Sequence, residues 1–183
     1  MSHALLIIDI INDFQFGHGA VLAEKTQAFV PDLLALKKKL KKLKIPIIYV
    51  NDHYGIWQAD YNKIIEKCSN IRSKHIIDIL EPEQDDFFLI KPKHSAFYET
   101  ALHTLLTELK IDSLILTGLA GNICVLFTAN DAYMRGYKLY ALKDCIASNN
   151  NHDNLHALTM MKNVMKATIV TSTDIVNLLD IRD

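Results

Sequence analysis

Three residues have side chains suited to covalent or proton chemistry and stand where an element ends. Asp9 interrupts the apolar run ALLIIDII (Ala4 to Ile11), Lys91 closes FFLIK (Phe87 to Lys91), and Cys124 follows SLILTG (Ser113 to Gly118) by a short turn. A carboxylate inside so apolar a run requires a cation or several donors, and a lysine from a neighbouring strand end can supply the cation. A thiol at the start of a helix meets the positive end of the helix dipole, and a nearby ammonium further favours the thiolate, the form that attacks carbonyl carbon. The small residues of GLAGNIC (Gly118 to Cys124) let backbone N–H groups turn toward a substrate oxygen. Each residue has a plainer reading: a carboxylate satisfied by loop amides, a strand-end lysine facing water, an inert core thiol, a tight turn needing glycine for its conformation. Their placement at one rim favours the chemical reading, a cysteine hydrolase with Cys124 as nucleophile.

The elements that must position them alternate. Strand patterns at Ala4–Ile11, Ile45–Val50, Phe87–Lys91, Ser113–Gly118, Tyr137–Leu142 and Thr168–Thr171 are separated by helical periodicity near Lys25–Leu43, Phe97–Leu109, Ile123–Arg135 and His152–Lys166, with a short C-terminal helix last. Continuous β-branched and leucine runs mark strands buried on both faces. The alternation predicts an α/β, three-layer Rossmann-like fold: a central, mostly parallel six-stranded sheet with helices on both faces. Ligands of such sheets bind beyond the carboxyl ends of the strands, where Asp9, Lys91 and Cys124 fall. Asn51 to Asp86 is less regular and reads as the wall or lid of a pocket. Tyr54 and Trp57 would be its apolar walls, Phe14 and Phe97 would narrow its mouth, and Asn122 would contact substrate or cap the helix carrying Cys124.

Length and composition narrow the function further. At 183 residues, half of them apolar, the chain suits a single domain spanning 1–183. A net charge of −1 offers no field for nucleic acid, so the expected partner is a small molecule. Three widely spaced cysteines, Cys68, Cys124 and Cys145, argue for free thiols in a reducing compartment. Neither a leader pattern nor an apolar run long enough to span a bilayer stands out, so a cytoplasmic location away from membranes is expected. KKKLKKLK (Lys37 to Lys44) reads as the solvated face of a helix whose Leu36, Leu40 and Leu43 turn inward. Gly17 and Gly19 lie too far past the first strand for a dinucleotide loop, and Leu22 occupies the third glycine position, so NAD is not expected. His152 and His156 fall four apart but lack a zincin pattern.

Three ordered stretches carry a family resemblance over nearly the whole chain. LLIIDIINDF with Asp9, IKPKHSAF with Lys91, and GLAGNICVLFTANDAYMRGY with Cys124 followed by Val125, Thr128, Ala129, Asp131, Ala132 and Gly136 resemble the isochorismatase-like cysteine hydrolases, which include nicotinamidases and other small-amide hydrolases. The resemblance implies a mechanism. Asp9 would take the Cys124 proton and return it to the leaving amine, Lys91 would orient the acid and stabilise charge, and water would hydrolyse a thioester. It also implies a cis peptide between Leu119 and Ala120 that aims the amides of Ala120 and Cys124 at the oxyanion, and a homo-oligomer, with Met160, Met161 and Met165 open to either a core or an interface role; no cofactor is expected. Two positions depart from the pattern: Ile11 stands where many members have glutamine, and Gly121 where many have threonine. The nicotinamidase branch binds a metal through an aspartate and two histidines near the second strand. VNDHYGIW offers only Asp52 and His53, with His75 as a remote candidate, so no metal is expected. The competing functions are isochorismatase-type vinyl ether cleavage, in which the cysteine is dispensable, and a silent relative that only binds a metabolite.

Overall fold

A computed structural model of the chain describes residues 2–179. Six strands form one sheet: β1 (His3–Ile8), β2 (Ile47–Asp52), β3 (Phe87–Lys91), β4 (Ser113–Leu119), β5 (Lys138–Ala147) and β6 (Thr168–Val170). They lie in the order β3-β2-β1-β4-β5-β6, and each neighbouring pair is parallel. The chain starts in the middle and winds first to one edge, then to the other, which leaves a crevice at the carboxyl ends of β1 and β4, where the strand order reverses.

Alternation along the strands explains the layering. Leu5 and Ile7 of β1, Ile47 and Tyr49 of β2 and Tyr140 and Leu142 of β5 enter one apolar core, whereas Leu6, Ile8, Ile48, Val50, Leu139 and Ala141 enter the other. Against the first core pack α1 (Gly19–Lys42), α2 (Tyr61–Cys68), α3 (Lys74–Leu80) and α7 (Ile175–Leu178). Against the second pack α4 (Leu102–Glu108), α5 (Leu126–Met134) and α6 (Asn151–Asn163). The mostly parallel, three-layer expectation is met by a wholly parallel sheet.

Several boundaries differ from the sequence patterns. β1 stops at Ile8 because Asp9 takes a left-handed backbone, φ 51°, while Ile10 and Ile11 stay buried as loop. β5 runs five residues past Leu142 through an irregular stretch: Leu116 pairs with Ala141, but Gly118 pairs with Ile146. Asn51 to Asp86 holds two helices whose Ile64, Ile76, Ile77 and Leu80 complete the α1 core, so most of the expected lid is core. Lys37 does not share the solvated face expected of its neighbours. It is 1% exposed and pairs with the equally buried Asp86 at 2.7 Å and with Glu83 at 3.1 Å, because the turn before β3 folds back onto α1. Among the described residues, no helix is long and apolar enough to cross a membrane.

Candidate active site

The left-handed turn at Asp9 lifts its carboxylate out of the sheet beyond the end of β1. Its backbone N–H still donates to Val50, and its Oδ1 accepts the N–H of Asp52 at 2.8 Å. Oδ2 pairs with Lys91 Nζ at 2.8 Å. Both groups are almost sealed from water, Lys91 at 1% exposure and Asp9 at 6%, so each requires the other. Burial pulls the Lys91 ammonium down, but Asp9, Cys124 and Asp52 outweigh it and the net shift is upward, which keeps the lysine charged. Lys91 Nζ also donates to the Lys93 carbonyl at 3.1 Å and reaches Cys124 Sγ at 3.5 Å.

Cys124 sits in a single π-helical turn, Gly121–Val125, that joins β4 to α5. Glycine is required twice at this junction. Gly118 has φ +108°, and a Cβ there would stand 2.0 Å from the Ile8 carbonyl oxygen. At Gly121 a Cβ would meet Asn154 Oδ1 at 2.1 Å, which accounts for the departure from threonine: the space a side chain needs is filled from α6. Ser148, just past β5, accepts the Asn122 N–H at 3.0 Å and donates to Asn154 at 2.9 Å. Lys25 of α1 holds the Ser148 and Asn149 carbonyls in turn.

Asp9, Lys91 and Cys124 therefore meet, and Asp9 shares a side-chain hydrogen bond with the thiol. The electrostatics differ from the sequence expectation. Burial, followed by the Asp9 carboxylate, pushes the Cys124 thiol up to about 12, although Lys91 draws it down. The resting sulfur is a neutral thiol beside a carboxylate, an arrangement in which the carboxylate can accept the proton as attack begins. Cys68 and Cys145 are likewise raised to about 12, chiefly by burial. Exposure separates the three: Cys124 is half-buried, whereas the other two are 0% exposed.

The remaining candidates divide. Phe14 is fully buried in the α1 core and Phe97 is buried in the other core under the Arg135 guanidinium, so neither narrows a mouth: their apolar rings pack inward. Trp57 is 64% exposed and stacks on His53 at 3.8 Å. Tyr54 packs against the α1 core, where burial and the neighbouring Cys68 raise its hydroxyl pKa far above the usual phenol range. Asn122, two residues before the thiol, keeps its side-chain oxygen buried with no hydrogen-bond partner. The Leu119–Ala120 peptide is trans, as are the other peptide bonds among the described residues, against the implied cis bond. The Ala120 backbone is extended (φ −80°, ψ 139°), and its carbonyl accepts from Ile123 and Val125, capping the π turn.

Asp52 Oδ1 is engaged by the Tyr54 N–H and His53 Nδ1 by the Gly55 N–H, while His75 is exposed on α3. Among the described residues, no group of three or more His, Cys, Asp or Glu side chains is arranged to hold a metal. The sequence reading missed the clamp on the loop after β3: Ser95 bonds to Asp131, and Thr128 Oγ1 accepts the Ala96 N–H at 2.9 Å while donating to the Cys124 carbonyl at 2.7 Å. The clamp gives Thr128 and Asp131 of the third motif a physical role. His94 was also missed. It lies within that loop, with Nδ1 3.9 Å from Cys124 Sγ.

The model of the isochorismatase domain matches residues 3–174. The chain belongs to the isochorismatase family. An uncharacterised isochorismatase family protein of Bacillus subtilis, YaaI, is 60% identical over 94% of this chain and 96% of its own. The structure of an N-carbamoylsarcosine amidase from Thermoplasma acidophilum superposes with a TM-score of 0.74 at 26% identity, covering 94% of this isochorismatase-family chain and 97% of that one. A pyrazinamidase/nicotinamidase from Streptococcus mutans superposes with a TM-score of 0.73 at 27% identity, covering 92% and 100%.

Proposed function

We propose that the protein hydrolyses a small amide or related carbon–nitrogen bond through a thioester on Cys124. The observation that carries this reading is the meeting of the Cys124 thiol with the buried Asp9–Lys91 pair at the carboxyl ends of the strands. Asp9 takes the thiol proton as sulfur attacks the carbonyl carbon, then gives it to the leaving amine. Lys91 orients Asp9 and offsets the negative charge that develops beside it. The amides of Ala120 and Cys124 are the candidate oxyanion donors. The unpartnered oxygen of Asn122 favours an amide, because a buried acceptor without a donor costs about 1–3 kcal/mol and a substrate N–H would relieve it. The family resemblance supports the reaction class, and the amidase named among the solved structures supports C–N cleavage.

The test is intact mass spectrometry of the protein incubated with a panel of primary amides. Release of ammonia with a transient acyl adduct on Cys124 is expected, and Cys124→Ala abolishes both. Cleavage of a vinyl ether substrate that persists in Cys124→Ala would instead favour the isochorismatase-type reaction; absence of any adduct or turnover with ligand binding intact would favour a silent relative.

A homo-oligomer belongs to the same proposal. α5 and α6 leave Phe127, Met134, Leu155 and Met160 exposed, whereas Met161 and Met165 are core. A sedimentation mass of only the 20.8 kDa chain would remove it.

A further inference from the structure

The turn that carries the nucleophile is fastened largely from outside. The first N–H groups of a helical segment have no acceptor within it, and no side chain caps the π turn Gly121–Val125. The Ala120 carbonyl takes the N–H groups of Ile123 and Val125, but the Asn122 N–H finds its acceptor on another element, the Ser148 hydroxyl at 3.0 Å. Gly121, directly before Asn122, has no side chain with which to wedge the backbone in place.

Ser148 is built to be a fixed acceptor. It follows β5, is almost wholly buried, and commits its own proton to Asn154 Oδ1 of α6 at 2.9 Å, which leaves a lone pair for Asn122. Asn154 is anchored in turn, its Nδ2 donating to the Ile146 carbonyl at 3.2 Å. The Ser148 backbone is held from the opposite face of the sheet, where Lys25 Nζ of α1 donates to the carbonyls of Ser148 at 3.0 Å and Asn149 at 2.9 Å. The nucleophile is thus gripped at two points: Thr128 Oγ1 donates to its own carbonyl, and Ser148 holds the amide two residues before it.

We propose that Ser148 is a positioning residue for the nucleophile: by holding the Asn122 N–H it keeps the Cys124 sulfur beside the Asp9–Lys91 pair, and Lys25 keeps Ser148 in place. The inference rests on the reading of Cys124 as nucleophile with Asp9 as the acceptor of its proton. Without the hydroxyl, the Asn122 N–H and Asn154 Oδ1 both lose a partner, and the turn shifts toward another acceptor. A sulfur moved away from Asp9 stays protonated, because burial is the main reason that its thiol is raised, and it loses the carboxylate that takes the proton as attack begins.

The experiment is the rate of iodoacetamide alkylation of the full chain near neutrality, resolved by cysteine, together with hydrogen exchange of the Asn122 amide followed by NMR. The proteins compared are the native chain, Ser148→Ala, Ser148→Thr, Lys25→Met and Lys37→Ala. Ser148→Ala labels Cys124 roughly ten- to a hundredfold more slowly, a hundredfold being the cost of misplacing a reacting group by about 1 Å, and its Asn122 amide exchanges faster. Ser148→Thr keeps the hydroxyl and recovers most of both. Lys25→Met alters the wall of an open concavity of about 290 Å³ and slows Cys124 to a lesser degree. Lys37→Ala lowers the thermal midpoint but labels Cys124 at the native rate, which separates lost positioning from lost stability. Native or faster labelling in Ser148→Ala overturns the inference, as does an equal slowing in Lys37→Ala, or a Ser148→Thr variant that regains Asn122 protection without regaining rate. If Ser148→Ala does not fold, native labelling in Lys25→Met overturns it. Equal labelling of Cys124, Cys68 and Cys145 in the native protein instead defeats the nucleophile reading, whereas native selectivity with an unaltered Ser148→Ala rate removes the positioning role alone.

Discussion

A carboxylate, an ammonium and a thiol meet here, and the carboxylate helps to keep the ammonium charged and the thiol protonated. Lys91→Met leaves Asp9 buried without its cation, so stability should fall by about 3–5 kcal/mol in urea unfolding, alongside lost turnover. The double change Asp9→Leu with Lys91→Met should recover much of that stability and none of the turnover, which separates the fold's need for the pair from the chemistry's. The thiols make a second prediction. Cys68, Cys124 and Cys145 have ordinary values of 9.0 and folded values near 12, so the folded state holds protons that the unfolded state has already lost. Their contribution is fully present below about pH 9 and is lost as the pH rises toward 12. Cys145→Ala should flatten that alkaline decline in a pH series of unfolding midpoints; an unchanged slope would count against the burial argument. The placement of Asp9, Lys91 and Cys124 at one rim was legible in the sequence, because Asp9 interrupts an apolar run, Lys91 closes one and Cys124 follows one by a short turn. His94 was not, because nothing in KPKHSAF shows that the loop bends back to the sulfur.

At the level of elements, the π turn and the loop after β3 decide where the reactive groups stand. Gly121→Ala should displace the turn, since a new Cβ would lie 2.1 Å from Asn154 Oδ1 and 2.7 Å from Ile146 Cγ2. Slower Cys124 alkylation at near-native secondary structure is the expected outcome; Gly121→Ala combined with Asn154→Ala should restore part of the rate. Thr128→Val removes the acceptor of the Ala96 N–H and should cost about 1–3 kcal/mol, with reduced turnover although Thr128 touches no substrate. Helical and strand periodicity located these elements but not their ends. β1 stops early because one residue turns left-handed, and β5 continues because an irregular stretch realigns it with β4. Both depend on the neighbouring chain, which local patterning does not contain.

Across the whole molecule, one cross-connection ties α1 to the approach to β3. Lys37, buried at 1%, faces Asp86 and Glu83, and Lys41 adds bonds to Glu83, Asp85 and Asp86. Lys37→Ala should destabilise the fold by about 3–5 kcal/mol while leaving Cys124 labelling of the folded protein unchanged, because the pair lies far from the reactive rim. A loss near zero in chemical denaturation would mean that the buried charges are solvated.

Alternating apolar runs were enough to establish a parallel sheet clad by helices and to bring three reactive side chains to its carboxyl rim, because strand burial and crossover handedness are written in local composition. The ionisation of Cys124, the inward packing of Phe14 and Phe97, the burial of Lys37 and the position of His94 were settled only by folding. Each depends on which groups from distant segments close around the side chain and how much water they exclude, and neither quantity is encoded in residue spacing.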